Sequence, residues 1–137
     1  DHFYSTYGPK VAHFGTQGYV EQPPQGLVYS VQEPDTVPFF CCGVNIGSKI
    51  SHFYTANAKE FQEQVAAGCS VDPEPGIAAG VGYLYTTPQC SAILLYRMFG
   101  PSRFDRFYTI NDAERQSLVA SGLDQDQGIA GYVLPNP

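Results

Sequence analysis

Three short segments carry the chain's most chemically capable side chains: Asp1-His2-Phe3-Tyr4-Ser5, Ser51-His52-Phe53-Tyr54-Thr55 and Asp105-Arg106-Phe107-Tyr108-Thr109. Each sets a hydroxyl or carboxylate, an imidazole or guanidinium, and a phenol side by side. That combination suits sugar recognition. A sugar offers apolar C–H faces and a rim of hydroxyls. Tyrosine answers both with an apolar body and a polar tip, while Asp, His and Arg add donors and acceptors. Strand alternation puts His2 and Tyr4 on one face and Phe3 on the other. Phe3, Phe53 and Phe107 are therefore expected in the core. Asp1, His2, Tyr4, His52, Tyr54, Asp105, Arg106 and Tyr108 form the candidate ligand-binding set. The competing reading is that His and Tyr tie the copies together by hydrogen bonds.

Other reactive patterns are weak. Glu60 and Glu114 sit at helix-capping positions. Asp72, Glu74, Glu21-Gln22 and the run from Asp124 to Gln127 read as polar turns. Asp124-Gln125-Asp126 resembles the start of a calcium loop but lacks the remaining ligands. No Cys-x-x-Cys occurs, and His2, His13 and His52 are scattered, so a zinc site has little support. No nucleophile elbow, His-Glu-x-x-His motif or phosphate-cradling glycine loop is found. The expectation is a non-enzyme without cofactor or metal. Cys41, Cys42, Cys69 and Cys90 are the four cysteines. Either Cys41 and Cys42 each pair with Cys69 or Cys90, or the thiols are free and buried.

The elements that position these groups recur. Gly18, Gly68 and Gly122 each follow a motif Phe by fifteen residues. Strands at 26–29, 82–85 and 131–134 come next, and further strands at 37–41 and 93–97 follow the first two. Asn57 with Glu60, and Asn111 with Glu114, mark helix starts of capping-box spacing, which Gly68 and Gly122 close. Gly8-Pro9 predicts a shorter helical turn in the first copy. The whole reads as one domain, 1–137, of three repeats (1–50, 51–104, 105–137). The expected fold is all-β with short helices, closed in a pseudo-threefold arrangement, either β-trefoil-like or a three-bladed β-propeller. Eleven strands rather than twelve would leave one uncovered edge, which makes a homodimer an open alternative.

Composition agrees with a compact, turn-rich domain. The 137 residues include ten Tyr, nine Phe, 14 Gly and 11 Pro, and 15% are charged. That is well below the roughly 25% usual for soluble domains. A net charge of −6 repels phosphate backbones, so nucleic acid is not an expected partner. No apolar run approaches the ~20 residues of a membrane helix, so no membrane insertion is expected. The chain starts at Asp1 with no visible signal peptide, which suits a processed, secreted protein; a cytoplasmic location stays open.

The aromatic motifs, Asp112-Ala113-Glu114, the run from Gly128 to Val133 and Leu95-Tyr96-Arg97 together resemble a fungal and bacterial repeat family of unknown function. That family is often appended to secreted cell-wall-acting or other extracellular proteins. The resemblance spans essentially the whole chain and implies an extracellular, lectin-like binding module. Cys41 replaces the arginine matching Arg97, and Arg106 stands where the other copies have His2 and His52, so repeated sites need not be equivalent. The expected function is carbohydrate binding, with up to one site per repeat and glycans or glycoproteins as partners. The alternatives are a protease inhibitor using the loops at Pro23-Pro24 and Pro73-Glu74-Pro75, or an accessory interaction module.

Overall fold

The structure, a computed structural model, describes residues 1–89 and 91–137. Three short helices, α1 (Gly8–Gly15), α2 (Ala58–Ala66) and α3 (Asp112–Ala120), accompany seven strands. These are β1 (Thr36–Ile46), β2 (Lys49–Thr55), β3 (Ser70–Val71), β4 (Gly80–Tyr85), β5 (Ile93–Gly100), β6 (Asp105–Thr109) and β7 (Gln125–Val133). They form one antiparallel sheet in the order β2-β1-β4-β7-β5-β6, with β3 added beside β1.

This corrects the expected closed trefoil or propeller. The sheet is single and open, ending at β2 and β6. The motif copies are not structural equivalents either. Residues 51–55 lie in β2 and residues 105–109 in β6, whereas residues 1–5 form no strand. Their backbone N–H groups are spent on side chains instead: His2 N–H donates to Asp105 and Tyr4 N–H to the Tyr54 hydroxyl. The segment at 26–29 makes only two isolated bridges, Leu27 with Leu134 and Tyr29 with Tyr83. Pro23-Pro24 just before it lacks the N–H groups that a ladder needs.

The helices follow their local signals. Asn57 accepts from the N–H groups of Lys59 and Glu60, and Asn111 from that of Glu114. These bonds satisfy donors that a helix start leaves unpaired. Gly68 and Gly122 end their helices at φ 105° and 75°, a region that L side chains avoid. Pro9 lies in the first turn of α1, which is one residue shorter than the other two helices and has no side-chain cap. No residue of α3 is buried.

Two apolar clusters hold the sheet. The larger gathers Phe39, Cys41, Tyr54, Val81, Leu84, Leu95, Tyr108 and Val133. The smaller gathers Cys42, Phe53, Phe61 and Cys69 around a Cys42–Cys69 disulfide. Among the described residues Cys41 is a buried free thiol, and a Cys41–Cys90 pairing lies outside them. The expected inside and outside of the motifs are therefore largely exchanged. Tyr54 and Tyr108 are fully buried, whereas Phe3 and Phe107 are half-buried; Phe53 alone of the three is in a core. No helix among the described residues is long and apolar enough to cross a membrane.

Candidate functional site

The structure brings the eight sequence-predicted site residues together, seven of them in a mutually bonded cluster between the ends of the sheet. The Tyr108 hydroxyl donates to the carbonyl of Tyr54 at 2.6 Å and accepts its N–H at 2.8 Å. Tyr54 treats Tyr4 in the same way, at 2.8 Å for both bonds. Tyr4 closes the ring on Tyr108, at 2.9 and 2.8 Å. The three phenols meet edge to face, with centroids 5.3 to 5.5 Å apart. Each hydroxyl thus does what one residue of a neighbouring strand would do. Tyr54 and Tyr108 lie on edge strands, whose outward N–H and C=O groups would otherwise be unpaired.

A second layer flanks the ring. His52 Nδ1 lies 2.5 Å from Asp1 Oδ2, and His2 Nδ1 lies 2.6 Å from Asp105 Oδ2. Burial pushes the His52 imidazole down to about 4, so at neutral pH it is uncharged and donates its Nδ1 proton to Asp1. Burial opposes the charge of Asp105, but the side-chain and backbone bonds from His2, together with its charge and that of the N-terminus, hold that carboxyl below its ordinary value. Burial raises the Tyr4, Tyr54 and Tyr108 phenols far above the ordinary tyrosine range, so all three keep their protons. These groups are committed to one another. Arg106 differs: its guanidinium stacks over Phe53, Phe99 and Phe104.

The open polar site is elsewhere. A pocket of about 500 Å³ lies between the start of α2 and strands β5 and β7, lined by Thr55, Asn57, Glu60, Thr86, Arg97 and Tyr132 among others. Arg97 on β5 reaches across to Glu60 on α2 in a forked pair, with Nη1–Oε1 at 2.7 Å and Nη2–Oε2 at 3.0 Å. The Arg97 bond keeps the Glu60 carboxyl below its ordinary value against the effect of burial, and a Thr55 hydroxyl bond assists. Burial works against the Arg97 charge, yet Glu60 and Tyr108 together more than restore it. The forked pair fixes two planar groups while leaving further guanidinium protons and carboxylate lone pairs. Asn57 Oδ1 is committed to the helix start, so its amide nitrogen is the donor left over.

Arg97, Glu60 and Tyr132 all belong to segments visible in the sequence as motif or capping residues. What the sequence did not signal is that they converge. Arg97 lies 37 residues from Glu60, on a different element. The matching positions are not built alike. The Ser5 hydroxyl meets the buried Glu74, and the Thr109 hydroxyl meets Glu114, but Cys41 stands where an arginine would match Arg97. Among the described residues no three His, Cys, Asp or Glu side chains gather as metal ligands.

Comparison with curated proteins gives no match, and comparison with solved structures gives none. The sequence pattern of one family, a domain of unknown function (DUF5648), covers residues 1–134, and the chain belongs to that family.

Proposed function

We propose that the protein is a carbohydrate-binding, lectin-like module whose site is the pocket at Arg97, Glu60, Asn57 and Tyr132. The observation that carries this reading is the forked Arg97–Glu60 pair beside an aromatic ring in an open depression. Adjacent sugar hydroxyls need a donor and an acceptor a few ångströms apart, and a rigid guanidinium–carboxylate pair supplies both. The Tyr132 ring offers the apolar face on which a pyranose C–H surface rests. A pocket of about 500 Å³ falls within the range common for small-ligand sites. One built pocket, rather than one per repeat, is the stoichiometry proposed. A glycan array probed with the purified chain tests this. Binding to a defined set of neutral oligosaccharides is expected, with a loss of at least about tenfold in Arg97→Met and Tyr132→Ala, because the hydrogen-bonding pair or the stacking face is then gone. Absence of any ligand across a broad array, or unchanged binding in both variants, overturns the reading.

A further inference from the structure

A second pocket, of about 180 Å³, borders the disulfide at Cys69 and is lined by Val44, Phe53, Gln64, Cys69, Phe104 and Arg106 among others. Its chemistry is unlike that of the first. The walls are mainly apolar and aromatic, and the guanidinium of Arg106 sits 4.8 Å from the Phe53 ring centre and 5.2 Å from that of Phe99. Lys10, Arg97, Arg103 and Arg115 each hold a carboxylate. Arg106 holds none among the described residues, and its buried Nε has no hydrogen-bond partner. This occurs in a chain with thirteen acidic and seven basic residues, where acids are in surplus.

The motif pattern shows what is missing. The second residue of one motif pairs with the first residue of another: His2 with Asp105, and His52 with Asp1. Continued in the same order, that pairing would set Arg106 opposite Ser51. Ser51 has no carboxylate, and its hydroxyl is donated to the carbonyl of Phe104. Phe104 itself is held at φ 48°, a conformation costly for a bulky residue, and is 43% exposed at the pocket wall. A cation desolvated by three rings, lacking the acid its counterparts possess, and opening into a cavity is a receptor for an acid from outside.

We propose that this pocket binds a small organic carboxylate with a compact apolar body. The carboxylate takes the place that Asp1 and Asp105 fill in the sister motifs, and Arg106 grips it. The body lies against Phe53, Phe104 and Val44. The volume equals roughly six waters at liquid density, which limits the ligand to a single ring or a short chain. This inference does not rest on the carbohydrate reading and concerns a different pocket.

Thermal unfolding and amide NMR of the full chain, titrated with benzoate, benzyl alcohol and inorganic phosphate, test it. Benzoate is expected to raise the melting temperature and move the amides of Gln64, Cys69 and Phe104. Benzyl alcohol and phosphate at equal concentration should do neither. Arg106→Gln should weaken benzoate at least about tenfold, the loss of one charge-assisted contact. Ser51→Asp supplies the missing acid from within, so it should abolish the benzoate response. Where Ser51→Asp fails to fold, the neutral ligand and Arg106→Gln decide. No response to benzoate, an equal response to benzyl alcohol or phosphate, or an unchanged response in Arg106→Gln overturns the proposal.

Discussion

Replacing Tyr108 with Phe removes one oxygen and leaves the ring shape intact. The loss is two hydrogen bonds, to the N–H and the C=O of Tyr54. Tyr54 is 0% exposed, so water cannot reach the freed groups. A buried donor left unpaired costs about 1–3 kcal/mol, and the net worth of the second bond is about 1 kcal/mol. The expected destabilisation is therefore about 3 kcal/mol, or roughly a 10 °C fall in melting temperature for a chain of this size. Tyr4→Phe should behave similarly, since it strands the equally buried Tyr108 backbone. Tyr54→Phe should cost less, about 1 kcal/mol, because the freed groups belong to half-buried Tyr4, where water can substitute. The cost thus follows the burial of the residue served rather than that of the tyrosine changed. Urea unfolding followed by far-ultraviolet circular dichroism gives the three values, with exposed Tyr7→Phe as the control. A Tyr108→Phe loss below about 0.5 kcal/mol, or Tyr54→Phe as the most damaging of the three, would refute the idea that the hydroxyls stand in for a strand.

Three further outcomes are expected. His52 is held at about 4 against an ordinary 6.5, so below pH 6.5 the unfolded chain takes up a proton that the folded one refuses. Its stabilising effect is whole above 6.5 and is lost as pH falls towards 4, by about 3 kcal/mol in all; urea midpoints across that window should show the slope, and His52→Gln should flatten it. Reducing the Cys42–Cys69 bridge, which joins residues 27 apart, should cost about 3.5 kcal/mol on the chain-entropy account, and a Cys42→Ser/Cys69→Ser chain as stable as the native one would contradict it. Burial pushes the Cys41 thiol up to about 12, so native protein should resist iodoacetamide at Cys41 at pH 8 and react there only when unfolded, as peptide mass spectrometry would report.

Local chemistry was well legible in the sequence, and global closure was not. Asn57 and Gly68, or Asn111 and Gly122, bound a helix wherever they occur at that spacing, because the groups they satisfy lie within one turn. The motif periodicity left two readings of residues 1–5, 51–55 and 105–109, ligand binding or copies tied together by hydrogen bonds, and the bonds among them match the second. The periodicity did not say how the copies pair, because pairing depends on what lies alongside. Two copies have a hairpin partner, β1 for β2 and β5 for β6, while the first has none and bonds through side chains. Alternation separated Phe from Tyr correctly but could not tell which face is inside. Hydrophobicity alone favours Phe. The gap between two edge strands favours a residue that is both apolar and able to exchange two hydrogen bonds, and only Tyr is both.

The candidate pocket arises from the same economy of local bonds. Capping-box spacing assigns Glu60 to the backbone N–H of Asn57. In the fold that N–H is already taken by the Thr55 hydroxyl, as the Asn111 N–H is taken by Thr109. The motif's final hydroxyl therefore does the work a capping carboxylate would otherwise do, and the carboxylate is released. In α3 the released Glu114 turns to the Thr109 hydroxyl and meets no arginine. In α2 the released Glu60 meets Arg97, because β5 passes beside the helix start there and carries a guanidinium at the matching point. Removing the Thr55 hydroxyl (Thr55→Val) should therefore draw Glu60 back towards Asn57 and loosen the fork. If carbohydrate binding depends on the fork, it should weaken in that variant while α2 stays folded; binding unaffected by Thr55→Val would separate the pocket's function from the pair that defines it.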